Sequence, residues 1–481
     1  DVEAEGPGLD RDAALRAGRY AVRYLEQDAH ATNLELALLP NAALQHSLLH
    51  ARTASHWEAL VTRARAVPGF LAKHEENLRR GVREGRAADR DVATAFAERV
   101  IGGAAASTRG LAANAAARGV EGPILTRIDD AARAASDAYR AFGAFVRDHV
   151  VPKARAHVRL GEEEVRFRLR DVMGVDREPA ALVALAKEEL AAAQAAMEKH
   201  ARDAGHASAR AAAPAICAHH PPSYEDAVAL YERELVEIVR FIRPIVPIPE
   251  PLALAFDRLP PGVADGASVT NWPAPLLDPE GRGHALCGDD LSAHVTIAAK
   301  QLAIHEAIPG HYLQSVAWQR AMESGALKRE SIVRFLGVFD DVAMSRAYYG
   351  TMLAVEGWAV YMERLMREQG FYKTPEELFF AAMCDAIRAV RVVIDIEMHA
   401  GDASPEALHR FVADSSLFGD RYATYQTLRI KRMPLQGLTY LVGALEIEAL
   451  RDAANAKGTE LLELHRQLLA VGPVPPSRYD L

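Results

Sequence analysis

Cysteine is scarce in this chain: Cys217, Cys287 and Cys384 are the only three in 481 residues. None sits in a CxxC pair, so a disulfide framework is excluded and the compartment stays open. Long apolar runs are missing as well. The best candidate, around 238–256, is broken by Arg240, Arg243 and several prolines, which argues against a membrane span. No basic cluster dominates either: 56 Lys and Arg face 65 Asp and Glu, for a formal charge of −9. Nucleic-acid binding driven by phosphate contacts therefore has little support. The chain begins at Asp1 without a Met or a signal peptide, the pattern expected of a mature or trimmed form, soluble and either cytoplasmic or exported. Nothing in the sequence speaks to the oligomeric state.

Helix formers are abundant. Ala makes up about a fifth of the chain, Leu, Glu and Arg are frequent, and Ile, Thr and Tyr are comparatively sparse. The 50% hydrophobic and 25% charged content excludes a disordered chain. Amphipathic segments follow one another at 127–150, 179–203, 224–241, 296–324, 341–369 and 375–400. Thr374-Pro375-Glu376-Glu377 and Ser404-Pro405-Glu406 each read as an N-cap, a first-turn proline and acids facing the helix dipole. The stretch 244–290 is different, rich in proline and glycine with short β-like pieces at 267–271 and 284–287. The Gly- and Ala-rich 102–117 reads as a loop or a small-residue helix contact. The expectation is a mainly α protein with a small β subdomain. It has an N-terminal helical part, 1–243, and a second part, 244–481, whose irregular region 244–290 leads into the helices that carry the chemistry.

One of those helices holds His305-Glu306-Ala307-Ile308-Pro309-Gly310-His311. A zinc hydrolase needs two imidazoles, a third ligand and a carboxylate beside the reacting water. Histidines four apart share a helical face, but six residues rotate them about 120° apart on a straight helix. Pro309 and Gly310 offer a remedy, because proline breaks the hydrogen-bond ladder and glycine accepts unusual dihedrals. A widened turn there would bring His311 back beside His305. About 50 residues on, Glu356-Gly357-Trp358 through Glu363 lies inside the helical stretch 341–369. Glu356 fits a third ligand, Gly357 would let its helix approach the histidine helix, and Glu363 at i+7 would support a ligand histidine. The competing reading makes both acids solvated.

A third segment carries a polar stripe on an apolar helix: Arg388, Arg391, Asp395 and His399, spaced to share one face. Burying these groups is costly unless they pair or meet a ligand. They form either an internal ion-pair network or a substrate site. In the second case Arg388 or Arg391 grips a carboxylate and His399 donates to an oxyanion. Cys217-Ala218-His219-His220 contains metal-capable residues in an Ala- and Pro-rich loop and reads as irrelevant to the site. Tyr348, Tyr349 and Trp358 read as packing.

Together these segments resemble the bacterial "domain of unknown function 885" family, itself similar to zinc peptidases of the gluzincin type. The resemblance rests on His305-Glu306, Pro309-Gly310-His311 and Gln314; on Glu356 through Glu363; on Arg388, Arg391, Asp395 and His399; and on Pro434, Gln436, Tyr440 and Gly443. Departures are Ile396 and Glu397 in the stripe helix, where a bulky acid would narrow the site, and Met433 before Pro434. Cys287 with Gly288-Asp289-Asp290 stands where the family has a substrate-facing strand and loop. The resemblance implies a large multi-helix, metallopeptidase-like body split by a long cleft, with the 1–243 part forming one wall. It further implies one zinc ion on His305, His311 and Glu356, Glu306 as general base, and Tyr440 or His399 as oxyanion donor. Arg388 and Arg391 would bind substrate, with Glu363 and Asp395 supporting the site. The implied activity is hydrolysis of peptide or amide bonds, with short peptides cut in the carboxypeptidase or dipeptidase manner. A C–N hydrolase for a specialised small molecule and a non-catalytic binding relative are the rival classes.

Overall fold

The computed structural model describes residues 8–250, 254–259 and 268–479. Two long helices, α1 (Ala54–Arg83) and α2 (Pro123–Phe145), organise the first third. Thr53 caps α1 by accepting from His56 N, and Pro123 opens α2 behind Gly122. Their apolar stripes meet, Leu60, Ala64, Leu71 and Leu78 against Ile128, Ala132, Tyr139 and Phe142, in a core that covers 34–154. The 102–117 segment is helical, as Ile101–Arg109 and Leu111–Ala117, and packs on α2.

A second core includes α3 (Pro179–Asp203), whose Leu182, Ala186, Leu190, Ala193 and Met197 are buried. Residues 165–216 share this core with residues 298–442. The boundary expected at 243/244 therefore does not separate two cores; the division falls between Ala154 and Val165. The small sheet is present, with β1 (Ala255–Arg258), β2 (Val269–Trp272) and β3 (His284–Cys287). Position 267, the expected start of one strand, lies outside the described residues. β3 is central, parallel to β1 and antiparallel to β2, and all four of its residues are buried.

Two of the expected helical segments are broken, the first at the widened turn that Pro309 and Gly310 imply and the second where no break was expected. The first comprises α4 (Ala298–Leu302), a π turn at Ala303–Ala307, an extended Ile308 and α5 (His311–Glu323). Pro309 lacks the N–H a continuous helix would use. In the second, a short helix at Asp341–Ser345 ends where Ala347 takes a φ of 60°, and α6 (Met352–Glu368) starts afresh. Next comes α7 (Pro375–His399), a largely buried helix opened by the capping box of Thr374 and Glu377. It lies along α3. Two more helices complete the frame of the site, α8 (Asp420–Arg432) and α9 (Thr439–Ala456). Gly357 of α6 packs on α9, not on the histidine helix as expected: a Cβ there would lie 2.4 Å from the Gly443 carbonyl carbon. The molecule is mainly α with a small sheet, and among the described residues no helix is long and apolar enough to cross a membrane.

Candidate metal centre

The π turn at Ala303–Ala307 and the break at 308–310 bring the two histidines together. Their rings lie 4.7 Å apart, edge to face, although six residues separate them. Gly310 is required by close approach and not by a special φ, since a Cβ there would sit 1.8 Å from the His305 carbonyl oxygen. Trp358 does more than pack: its indole Nε1 donates to Pro309 O at 2.7 Å and ties the break to α6.

Glu356 of α6 faces both rings. Its Oε2 is 3.5 Å from His305 Nε2 and 3.4 Å from His311 Nε2, and the three ligand atoms lie within 4.8 Å of one another. Each ring is held from behind. His305 Nδ1 meets Glu363 Oε1 at 2.6 Å, and the buried Glu363 also accepts from Arg388 Nη2 at 2.6 Å and from Gln301 Nε2. A carboxylate can only accept, so His305 carries its hydrogen on Nδ1 and turns a lone pair inward from Nε2. His311 Nδ1 faces Gln314 Oε1 at 3.4 Å, an amide oriented by its Nε2 donating to Ala354 O. Both imidazoles thus present Nε2 to a buried carboxylate oxygen, Glu356 Oε2, that has no hydrogen-bond partner.

Three converging acceptors suit a cation, and the donor set of two imidazoles and one carboxylate suits zinc. Without a cation a proton takes that place. Burial pushes the His305 pKa down, but the carboxylates of Glu356 and Glu363 outweigh it and raise the pKa to about 9. Burial likewise opposes ionisation of Glu356, yet the two histidines hold it well below the ordinary carboxylate range.

Glu306 lies one residue after His305. Its Oε2 accepts from the backbone N–H of Asn271 at 2.9 Å, so β2 fixes the carboxylate beside the histidines. Tyr440, on the first turn of α9, stacks its ring on His305 at 6.0 Å. Gln436 Nε2 donates to Glu356 Oε1 at 3.1 Å, and Arg429 of α8 donates through Nη2 to both Gln436 Oε1 at 2.7 Å and Tyr440 Oη at 2.9 Å. Burial raises the Tyr440 pKa, and the Arg429 guanidinium opposes that shift.

The polar stripe of α7 does not converge on this site. Arg388 is buried behind His305 and donates through Nη2 to Glu363, while its Nε and Nη1 have no hydrogen-bond partner. Arg391 donates to Gln426 Oε1 at 2.9 Å and to Tyr422 Oη at 3.1 Å while lying over the Tyr440 ring at 4.8 Å, which keeps it at the edge of the site. Asp395 touches none of the three cluster residues and reaches them only through Gln436. It accepts from the backbone N–H groups of Leu435 and Leu438, anchoring the turn that carries Gln436, and burial raises its pKa to about 7. His399 lies eleven residues from Arg388, about 16 Å along the axis. Its Nε2 faces Ile430 O at 3.1 Å, away from the histidine pair, and burial lowers its pKa to about 3. Glu397 does not narrow the site; it lies against Gly401 just beyond the helix end. Among the described residues His305, His311 and Glu356 form the one cluster able to hold a metal, and His219 and His220 are outside it.

Sequence reasoning missed Gln301, Asn271 and Arg429. Gln301 stands four residues before His305 on one helical face, a spacing that could have flagged it. Arg429 has no such signal.

Residues 9–478 match the family described as "Bacterial protein of unknown function (DUF885)". The chain belongs to the DUF885 family. Among solved structures, this DUF885 chain is similar to a candidate lipoprotein from Colwellia psychrerythraea. That match has 17% identity and a TM-score of 0.74, over 89% of this chain and 75% of the other. A candidate lipoprotein of unknown function from Shewanella oneidensis matches at 17% identity and a TM-score of 0.66, over 99% and 88%. Such low identity speaks to the fold alone. No curated protein matches this DUF885 chain.

Proposed function

We propose that this DUF885 protein is a zinc-dependent hydrolase of peptide or amide bonds, related in mechanism to gluzincin peptidases. The observation that carries the reading is the unpartnered, buried Glu356 Oε2 facing two imidazoles whose other nitrogens are already held. A zinc ion held by His305, His311 and Glu356 would supply Lewis acidity, polarising the scissile carbonyl and acidifying water. Glu306, fixed by Asn271 N, accepts the proton of the attacking water and returns it to the leaving amine. Tyr440 donates its phenolic hydrogen to the oxyanion. Arg388 is engaged through Nη2 by Glu363 behind His305, and Arg391 at the edge of the site is the stripe residue for a substrate carboxylate, as a carboxypeptidase or dipeptidase acting on short peptides requires.

The test has two arms. The purified protein should bind about one zinc per chain, and His311→Ala should lose stoichiometric binding; full retention in that variant would remove the ligand assignment. In the zinc-loaded enzyme, screened over short peptides and N-acyl amino acids, Glu306→Gln should keep fold and metal while losing about 10²–10⁴-fold in rate. A rate near the parent's would move the base elsewhere.

A further inference from the structure

The hydrogen bonds around Arg429 run in one direction only. A guanidinium has five N–H donors and no acceptor, so every neighbour it touches must accept from it. Arg429 Nη2 is shared between Gln436 Oε1 at 2.7 Å and Tyr440 Oη at 2.9 Å. The first contact fixes the Gln436 amide with oxygen toward Arg429 and nitrogen toward Glu356, and Nε2 indeed donates to Glu356 Oε1 at 3.1 Å. One carboxylate oxygen is thereby occupied, which leaves Oε2 as the one turned to His305 and His311. The second contact occupies a lone pair of the Tyr440 hydroxyl. Its single hydrogen is then left unspent, on a ring stacked against His305.

We infer that Arg429 is a positioning residue that sets the hydrogen direction of both Gln436 and Tyr440, orienting the metal carboxylate through one and the oxyanion donor through the other. The inference rests on the zinc-hydrolase reading and adds to it a residue outside the motif segments. Arg391 lies over the same phenol but hydrogen-bonds to Gln426 and Tyr422, so it does not duplicate this role.

The two arms can be separated. Arg429→Met in the full chain should weaken zinc binding about 10-fold, read by competition with a chromophoric chelator, the lower end of what loss of a ligand-orienting contact costs. It should also lower kcat of the zinc-saturated enzyme about 10²-fold, as loss of an oxyanion donor does, with KM changed little. Arg429→Lys, still a pure donor, should recover most of both losses, which a purely structural role would not predict. In a Tyr440→Phe background the Met substitution should still weaken zinc but no longer lower kcat. In a Gln436→Leu background it should still lower kcat but no longer weaken zinc. Equal losses in all three backgrounds, or a Lys variant as poor as Met, would overturn the inference while leaving the hydrolase reading intact. A parent protein that binds no zinc overturns both.

Discussion

Two adjacent helices carry charged residues through the apolar core, and they use them in opposite ways. On α6, Glu356 and Glu363 stand two turns apart and both face histidines, one presenting a free oxygen and the other holding the ring from behind. On α7, four polar residues at the same kind of spacing diverge: Arg388 reaches Glu363, while Arg391, Asp395 and His399 are spread along α8 and the turn after it, on Gln426 and Tyr422, the 435–438 turn, and Ile430 O. Helical spacing places side chains on one face, but the elements packed against that face decide whether they meet. A common face is necessary for a site and does not make one.

The largest structural effect expected from this contrast is at Arg388. Replacing it with Met removes the cation beside the buried Glu363, which is then shared by His305 and Gln301 alone. Breaking a buried pair by removing one partner costs about 3–5 kcal/mol. Urea unfolding should show that loss, and zinc should bind more weakly as the support of His305 loosens. An unchanged midpoint would mean that Arg388 serves something other than Glu363.

Arg391 comes next. As an anchor of α8 it makes two side-chain hydrogen bonds, and removing a charged donor costs about 1.5–3 kcal/mol per bond. Arg391→Ala should therefore lower stability and leave zinc affinity alone. If it also grips a substrate carboxylate, KM should rise for free-carboxylate substrates and not for their amides, and Lys should not rescue it. Equal effects on both substrates would make the whole stripe scaffold.

The crossing of α6 and α9 should be less sensitive. A Cβ on Gly443 would lie 2.1 Å from Leu353 O, a backbone atom that cannot swing aside. Gly443→Ala should cost about 1–3 kcal/mol as overpacking and shift Tyr440, seen as a fall in kcat alongside the loss of stability. A variant as stable and active as the parent would show that the helices part without consequence.

Much of the site was legible because its chemistry sits in short segments: His305 to His311, and Glu356 with Glu363, each readable from local spacing. The widened turn was legible too, since Pro309 forbids the regular ladder. What stayed hidden is everything fixed across long sequence distances. Gly357 was expected against the histidine helix and meets Gly443 instead, because only the tertiary arrangement chooses which helix fills the space above a glycine. Arg429 lies on an exposed-looking polar helix, yet the turn anchored by Asp395 brings Gln436 and Tyr440 to it. The 34–154 core gives way near 160 to the core that begins at Val165, where no composition shift marks a boundary.

The smallest effect contrasts two buried histidines. His399 has its pKa lowered to about 3 by burial, against an ordinary value of 6.5. Below pH 6.5 the unfolded chain takes up a proton there that the folded chain refuses until about pH 3, so stability is full above 6.5 and falls as pH drops through this window. In the metal-free protein His305 works the other way. Its pKa, raised to about 9 by the carboxylates that outweigh burial, makes the folded state bind the proton more tightly. That contribution is full below pH 6.5 and is lost as pH rises toward 9. Urea midpoints of the chelator-treated protein between pH 5 and 9 should therefore fall at both ends. His399→Gln, whose amide nitrogen can stand where Nε2 does and still donate to Ile430 O, should flatten the acid side and leave the alkaline side unchanged. Because His74 and His465 are also lowered, to about 4, the flattening is partial. Saturating zinc should abolish the alkaline loss, since a metal ligand keeps no proton to release. Asp395 and Glu446, raised by burial to about 7, also lose stability as pH rises, but only up to about pH 7. A slope above pH 7 that survives zinc would mean that His305 is not the group titrating, and the contrast between α6 and α7 would lose its sharpest electrostatic mark.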